Sequence, residues 1–160
     1  IVSLMPAPGR LLWDVGAGSG SVGIEWMRCG RNMDAIAFEK NSRRIETIRR
    51  NSERLGTPGM KIVPGLLPTT LENQAAPDAV FHGGAVYSDE IFDQCWTSLK
   101  PGGNFVANAV TLEGDAALIK RHSKYGGELI RLEISHSDQI GAWRSYRPQR
   151  PVTQWRVRKS

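Results

Sequence analysis

The chain has 160 residues, of which 40% are hydrophobic and 23% charged, and its formal net charge is +5. That length suits one domain with a real core, and the balance is that of an ordinary globular protein rather than a fibrous or unfolded one. No apolar run approaches the roughly 20 residues of a membrane helix and no leader-like segment opens the chain, so the cytoplasm is the default compartment.

Cys29 and Cys95 sit in helix-like stretches among apolar neighbours and read as small buried hydrophobes, with no spacing that supports a disulfide or a metal site. The positive excess gathers on Arg43, Arg44, Arg49, Arg50 and Arg54, and again on Arg144, Arg147, Arg150, Arg156, Arg158 and Lys159. It suits an anionic partner, but charged helix faces are usually just solvated, so the count does not establish nucleic acid binding. The chain opens Ile1-Val2-Ser3-Leu4-Met5 without an initiator Met, and this apolar start reads as cut in mid-helix. The expectation is one domain over residues 1–160, taken from a longer protein.

Short apolar runs alternate with helical patterns, which predicts a parallel sheet covered by helices on both faces, a doubly wound α/β fold. Leu11 to Val15 is the first strand, and Ser21 to Cys29 the first helix. Ala35 to Glu39 is the second strand; Asn41 caps a helix whose buried stripe is Ile45, Ile48 and Leu55 and which ends at Gly56. Met60 to Val63 and Ala79 to His82 are the third and fourth strands, the latter closed by Gly83-Gly84. Ile91, Phe92, Cys95, Trp96 and Leu99 recur at helical spacing, and Lys100-Pro101-Gly102-Gly103 then turns the chain into a fifth strand, Phe105 to Val110. A helix over Ala116 to Tyr125 and strands over Leu129 to Ile134 and Val152 to Val157 bring the total to seven strands.

The strongest local signal is the first strand running into Gly16-x-Gly18-x-Gly20 and then a helix. Glycine lets the backbone turn sharply and approach a ligand with no Cβ in the way, and the amides of a helix start favour electron-rich atoms. The spacing is not the dinucleotide fingerprint, which only Gly18, Gly20 and Gly23 match in part. Glu39 ends the second strand roughly 20 residues on, where a carboxylate can accept from ribose hydroxyls.

The loop Asp14-Val15-Gly16-Ala17-Gly18-Ser19-Gly20 resembles the first motif of class I S-adenosylmethionine methyltransferases, and Leu99-Lys100-Pro101-Gly102-Gly103 resembles the turn before their fifth strand. The resemblance implies a Rossmann-like seven-stranded sheet in the order 3-2-1-4-5-7-6 with strand 7 antiparallel. It also implies S-adenosyl-L-methionine as cofactor. By matching positions, Gly16, Ala17, Gly18, Ser19 and Gly20 line the methionine and ribose side. Asp14 holds the loop and reaches the methionine ammonium, directly or through water, Glu39 with Lys40 beside it takes the ribose, Gly65-Leu66 flank the adenine, and His82 closes the site. Many relatives have an acid where Leu66 stands, which leaves adenine recognition here to backbone groups.

The acceptor class is narrowed by what is missing. The end of the fourth strand reads His82-Gly83-Gly84-Ala85, not the Asn/Asp-Pro-Pro-Tyr/Phe of exocyclic amine methylation, and both cysteines are in helices, away from any position for attack on a cytosine ring. No aromatic and basic platform for single strands stands out. A tRNA or rRNA base methyltransferase of the same fold remains the alternative, resting on the +5 charge, and a non-catalytic domain that binds the cofactor for structure only is a third. Four runs in order, Gly18 to Trp26, Phe81 to Gly84, Val106 to Glu113 and Pro151 to Trp155, resemble the decarboxylating carbon-15 methyltransferases of cobalamin biosynthesis, which form the C-terminal half of the precorrin-6Y C5,15-methyltransferases. This likeness implies an anionic precorrin substrate, no nucleic acid or membrane partner, no metal, and a homotetramer. It also implies carbon-15 methylation joined to loss of the ring C acetate carboxylate. Where relatives commonly carry a hydrophobic residue, this chain has His82.

Such a reaction needs no protein nucleophile, so positioning carries the burden and arginines and amides should bind the peripheral carboxylates. The candidates are Arg144, Arg147 and Gln154 near the end, with Asn108 and Glu113 at the lip of the fifth strand. Asn108 is a polar residue inside an apolar run and needs a partner or a ligand. Tyr87 follows the fourth strand and could face the reacting ring, and His82 is a candidate proton donor.

Overall fold

A computed structural model describes all of residues 1–160. The strands are β1 (Leu11–Val15), β2 (Asp34–Glu39), β3 (Lys61–Pro64), β4 (Ala79–His82), β5 (Asn104–Ala109), β6 (Glu128–Leu132), β7 (Ser135–Ile140), β8 (Trp143–Pro148) and β9 (Val152–Arg158). The helices are α1 (Ser21–Arg28), α2 (Ser42–Arg54), α3 (Asp89–Ser98) and α4 (Leu112–Tyr125), with short 3-10 turns at Val2–Leu4 and Thr69–Leu71. Seven strands form one sheet in the order β3-β2-β1-β4-β5-β9-β6. The first five are parallel, and β9 runs antiparallel to both β5 and β6. With β9 as the seventh strand of this sheet, that is the expected order.

Alternation along the strands assigns the two faces. Leu12, Ala35, Ala37, Ala79 and Val106 point toward α1 and α2 and pack with Ile24, Trp26 and Ile48. Trp13, Val15, Phe38, Val80, Phe105 and Trp155 point the other way, onto Ile91, Phe92, Cys95 and Leu99 of α3 and Leu118 of α4. The second layer is rich in aromatic rings: Phe92, Trp96, Phe105, Tyr125 and Trp155 lie with neighbouring centroids 4.7–6.5 Å apart. The Trp155 indole at its centre is satisfied, donating to the Gly126 carbonyl at 2.9 Å.

Several local expectations are corrected. In α2 the residue that completes the buried stripe is Ser52, whose hydroxyl donates to the Arg49 carbonyl, whereas Leu55 is exposed. Helix α4 begins four residues earlier than expected, because the Thr111 hydroxyl caps it by accepting from the Gly114 amide at 3.1 Å. Cys29 is exposed at the end of α1, while Cys95 is buried and its thiol is pushed up to about 12. The apolar start forms a single 3-10 turn, Val2–Leu4, with Leu4 buried. The largest difference is a separate two-stranded sheet, β7–β8, in a stretch that carries no strand signal in the sequence. No helix is long and apolar enough to cross a membrane.

Since Trp155 is fully buried at the hub of the aromatic layer, Trp155→Ala is expected to cost about 3–5 kcal/mol of stability. A urea unfolding free energy lower by that amount, read from a reduced midpoint at unchanged slope, would confirm it; a loss under about 1 kcal/mol would mean the layer is not close-packed.

Candidate active site

The strand order reverses between β1 and β4, and the crevice at the carboxyl ends of these strands is where open α/β sheets bind ligands. Gly16, Gly18 and Gly20 all adopt positive φ, at 76°, 61° and 79°, a region that side chains with a Cβ disfavour. The amides of Gly16 and Ala17 both donate to the Phe38 carbonyl, at 3.0 and 3.1 Å, which pins the loop to β2. A Cβ on Gly16 would stand 2.8 Å from the backbone of Gly84. The ends of β1 and β4 therefore approach as bare backbone. Gly20 then occupies the N-cap of α1 without a side-chain cap, so the Ser21 and Val22 amides are left uncapped while Gly23 is taken by Asp14.

Glu39 joins these parts. It is buried at the end of β2, where Oε1 accepts from the Lys40 and Asn41 amides and Oε2 from the Gly18 amide, each at 3.0 Å. A carboxylate has about four acceptor sites, so one is left, and Glu39 lines a cleft of about 430 Å³. Arg44 stands 3.9 Å from Oε2 at the rim. Gly16 and Phe38 form the floor, Lys40 and Gly65-Leu66-Leu67 one side, and Gly83-Gly84-Ala85, Tyr87 and Ile91 the other.

Asp14 has a different place from the one expected. It is 1% exposed, beneath the loop on the α1 side of the sheet, and Oδ2 accepts from the Gly23 amide at 2.9 Å. The loop-holding role is visible in that bond. The side chain does not line the cleft, and Oδ1 has no partner. Burial, against the Gly23 bond and helped by the charge of Glu39, raises its pKa from 3.8 to about 7. His82 faces the opposite layer, wholly buried and 6.3 Å from Phe105 between centroids, with the Gly84 backbone as a polar neighbour but no well-aligned hydrogen bond to either ring nitrogen. Burial first, and then the charge of Arg121, lower its pKa from 6.5 to about 4. A buried neutral imidazole outside the cleft does not fit the expected cofactor contact or proton donor.

Of the other candidates, Gly16, Glu39, Lys40, Gly65, Leu66 and Tyr87 come together in the cleft. Ala17, Gly18, Ser19 and Gly20 shape the loop without lining it; the Ser19 carbonyl accepts from the Asn51 side chain at 3.0 Å. Asn108 finds a protein partner: its Oδ1 accepts from Gln154 Nε2 at 2.9 Å, and Gln154 Oε1 accepts from Ser3 at 2.9 Å. Glu113 is exposed in the first turn of α4, and Arg147 is exposed on β8, 3.3 Å from Asp138. None of these four touches the cleft. Missing from the sequence reading were Phe38, Arg44, Leu67, Ala85 and Ile91 as lining residues, and the contact of Gly84 with Gly16. Glycines at the ends of two strands that pair in parallel were the available signal for that contact.

A left-handed glycine loop, a buried carboxylate on the next strand and this strand order together define a class I S-adenosylmethionine-dependent methyltransferase. The chain belongs to the family described as the precorrin methyltransferase domain, whose family model matches residues 1–159. It is 43% identical over 153 residues to a Sinorhizobium precorrin-6Y C(5,15)-methyltransferase [decarboxylating], covering 96% of this chain and 37% of that protein. It is 30% identical over 145 residues to the cobalt-precorrin-6B C(15)-methyltransferase (decarboxylating) of Salmonella typhimurium, covering 88% of this chain and 74% of the other. The crystal structure of the C-terminal domain of precorrin-6Y C5,15-methyltransferase from Rhodobacter capsulatus superposes with a TM-score of 0.92 at 40% identity, over 99% of this chain and 85% of that one. The chain thus spans well under half the length of the Sinorhizobium relative. An RNA methyltransferase from Salinibacter ruber, solved with S-adenosyl-L-homocysteine, covers 93% of this chain and 80% of its own at 14% identity and a TM-score of 0.59, and shares the fold alone.

The donor set fits the family's cofactor. Left-handed glycines leave room for it, Glu39 has acceptor capacity for hydroxyls, and no Cβ intrudes where Gly16 meets Gly84. Gly16→Ala is therefore expected to abolish S-adenosyl-L-homocysteine binding in calorimetry, and unchanged affinity would contradict the close approach.

The two buried titrating groups act oppositely on the ligand-free protein. Folded Asp14 keeps a proton that the unfolded chain loses between pH 3.8 and about 7, so its contribution to stability falls as pH rises through that window. Folded His82 refuses a proton that the unfolded chain takes below pH 6.5, so its contribution is present above that pH and is lost as pH falls toward about 4. Melting temperature measured from pH 4 to 7 should rise with pH in Asp14→Asn and fall with pH in His82→Leu. Parallel curves for the two variants would contradict the assignments.

Proposed function

We propose that this chain methylates carbon 15 of a precorrin with loss of a carboxylate as carbon dioxide, using the cleft between the glycine loop and residues 83–87. The observation that carries the reading is a cofactor cradle built on Glu39 and Gly16 in a chain that matches the precorrin methyltransferase family over nearly its whole length. S-adenosylmethionine, when bound, supplies a methyl group activated by its sulfonium.

The chain's own residues bind and orient. Glu39 accepts from ribose hydroxyls while its other acceptor sites keep Gly18 and the β2 end in place. Asp14 holds the start of α1 through Gly23. Gly65 and Leu66 flank the adenine. Tyr87 is exposed at the cleft wall and faces the macrocycle, where a flat, partly apolar ring suits an aromatic neighbour. Outside the cleft, the Asn108 amide keeps its NH₂ donors free, because only its oxygen is engaged with Gln154. The exposed Arg144 and Arg147 offer donors to peripheral carboxylates of a ring that extends beyond the cleft, Arg147 by leaving Asp138. No cleft residue is placed as a nucleophile. Alignment of acceptor and methyl carries the rate, and correct alignment can be worth about 7–11 kcal/mol.

We also propose a homotetramer, and the exposed β7–β8 ribbon supports that reading. Every residue of β7 and β8 is exposed, and the ribbon presents Ile140, Trp143 at 81% and Tyr146 at 77% exposure. A lone two-stranded ribbon is marginal in water, and exposed aromatic residues of this kind mark association surfaces.

Incubation with a precorrin and cofactor labelled in the methyl group is expected to give labelled product and carbon dioxide in equal amounts. Cofactor binding with neither product would remove the proposed reaction. Light scattering on the wild type should give four chains per particle, and Trp143→Asp with Tyr146→Asp should reduce that number. A monomeric wild type would contradict the tetramer.

A further inference from the structure

Arg121 lies in the second half of α4, 3% exposed, and does not line the cleft. Its guanidinium reaches across to the connection between β4 and α3. Nη1 donates to the Val86 carbonyl, and Nη2 donates to the Ser88 carbonyl at 3.1 Å and to the Asp89 carboxylate at 3.2 Å. The Phe92 ring backs the fork, with the guanidinium carbon 4.3 Å from its centroid.

The two carbonyls so held flank Tyr87, and Gly83, Gly84 and Ala85 just before them form the same wall of the cleft. That wall contains Ala85 at a φ of 55°, a left-handed conformation for a residue with a Cβ. Such a conformation persists only where the surroundings over-determine it. The Asp89 pair does not account for burying Arg121, because Asp89 is largely exposed and also pairs with Lys120 at 3.0 Å. A leucine at the same helical position would pack on Phe92 without the cost of desolvating a charge. What the guanidinium adds is two directed bonds to backbone, one on each side of Tyr87.

We propose that Arg121 is a positioning residue that fixes residues 83–88 as the rigid wall of the cleft and so sets where Tyr87 meets the methyl acceptor. The proposal rests on the reading of the cleft as the methyl-transfer site. Its test uses the intact chain, with Arg121→Lys, Arg121→Gln and Asp89→Asn. Three quantities are read: S-adenosyl-L-homocysteine affinity by calorimetry, amide hydrogen exchange, and kcat and KM with a precorrin acceptor.

Both Arg121 variants are expected to change homocysteine-analogue affinity by less than about threefold, because Glu39 and the glycine loop are held independently. Exchange should accelerate at 83–88 and not in β1 or β2, and kcat should fall about 100-fold, the size of effect expected from a 1 Å misplacement, with a smaller rise in KM. Asp89→Asn keeps both carbonyl bonds and should stay within about fivefold of wild-type kcat. Wild-type exchange and kcat in the Arg121 variants, or a loss in Asp89→Asn equal to theirs, would overturn the proposal. Failure of the wild type itself to bind the homocysteine analogue would instead remove the reading of the cleft. Should the Arg121 variants not fold, the unmodified protein decides. The Gly83 and Ser88 amides should then exchange no faster than those of α4 around Arg121, and exchange roughly 100-fold faster would overturn it.

Discussion

The site depends on one carboxylate held by backbone. Glu39 accepts from three main-chain amides, those of Gly18, Lys40 and Asn41, and in doing so ties the glycine loop after β1 to the end of β2. Hydrogen bonds to a charged acceptor are roughly twice as strong as neutral ones, and the Glu39 side chain that accepts them is itself buried. The loop is therefore shaped before any ligand arrives. The same carboxylate that shapes the loop also lines the cleft.

Around that junction the fold supplies two rigid boundaries. On one side the bare backbones of Gly16 and Gly84 meet at the point where the strand order reverses, and on the other α1 begins against Asp14. The aromatic layer under β4 and β5 carries α3 and α4, and through α4 the fork of Arg121 reaches the far wall. The two sides of the cleft are thus braced by different layers of the molecule.

Much of this was legible in the sequence, for identifiable reasons. Strands β1, β2, β4 and β5 are short apolar runs closed by turn residues, and the glycine loop and Glu39 carry their chemistry in residue type and spacing alone. Less legible were residues whose surroundings come from distant parts of the chain. Asn108, a polar side chain in an apolar strand, needs a partner or a ligand, and Gln154 engages its oxygen from 46 residues away. His82 read as closing the cofactor site but turns into the aromatic layer beside Phe105. Asp14 and His82 lie on opposite faces of the sheet, so only part of the strand-end set could enter one cleft.

The β7–β8 ribbon was illegible for another reason. Its first strand, Ser-His-Ser-Asp-Gln-Ile, has no apolar face to bury in its own subunit, and all of it is exposed. Periodicity reports burial against one's own core, so a strand without such burial leaves no alternating signal.

Calorimetric titration of wild type and Glu39→Gln with S-adenosyl-L-homocysteine addresses the shared role of this carboxylate most directly. Wild type is expected to bind one equivalent. The variant, which keeps the shape but replaces an acceptor oxygen with an amide donor, should bind about 10–100-fold more weakly, as expected for losing hydrogen bonds to a charged group. Equal affinity in the two proteins, or no binding by folded wild type, would contradict the cradle.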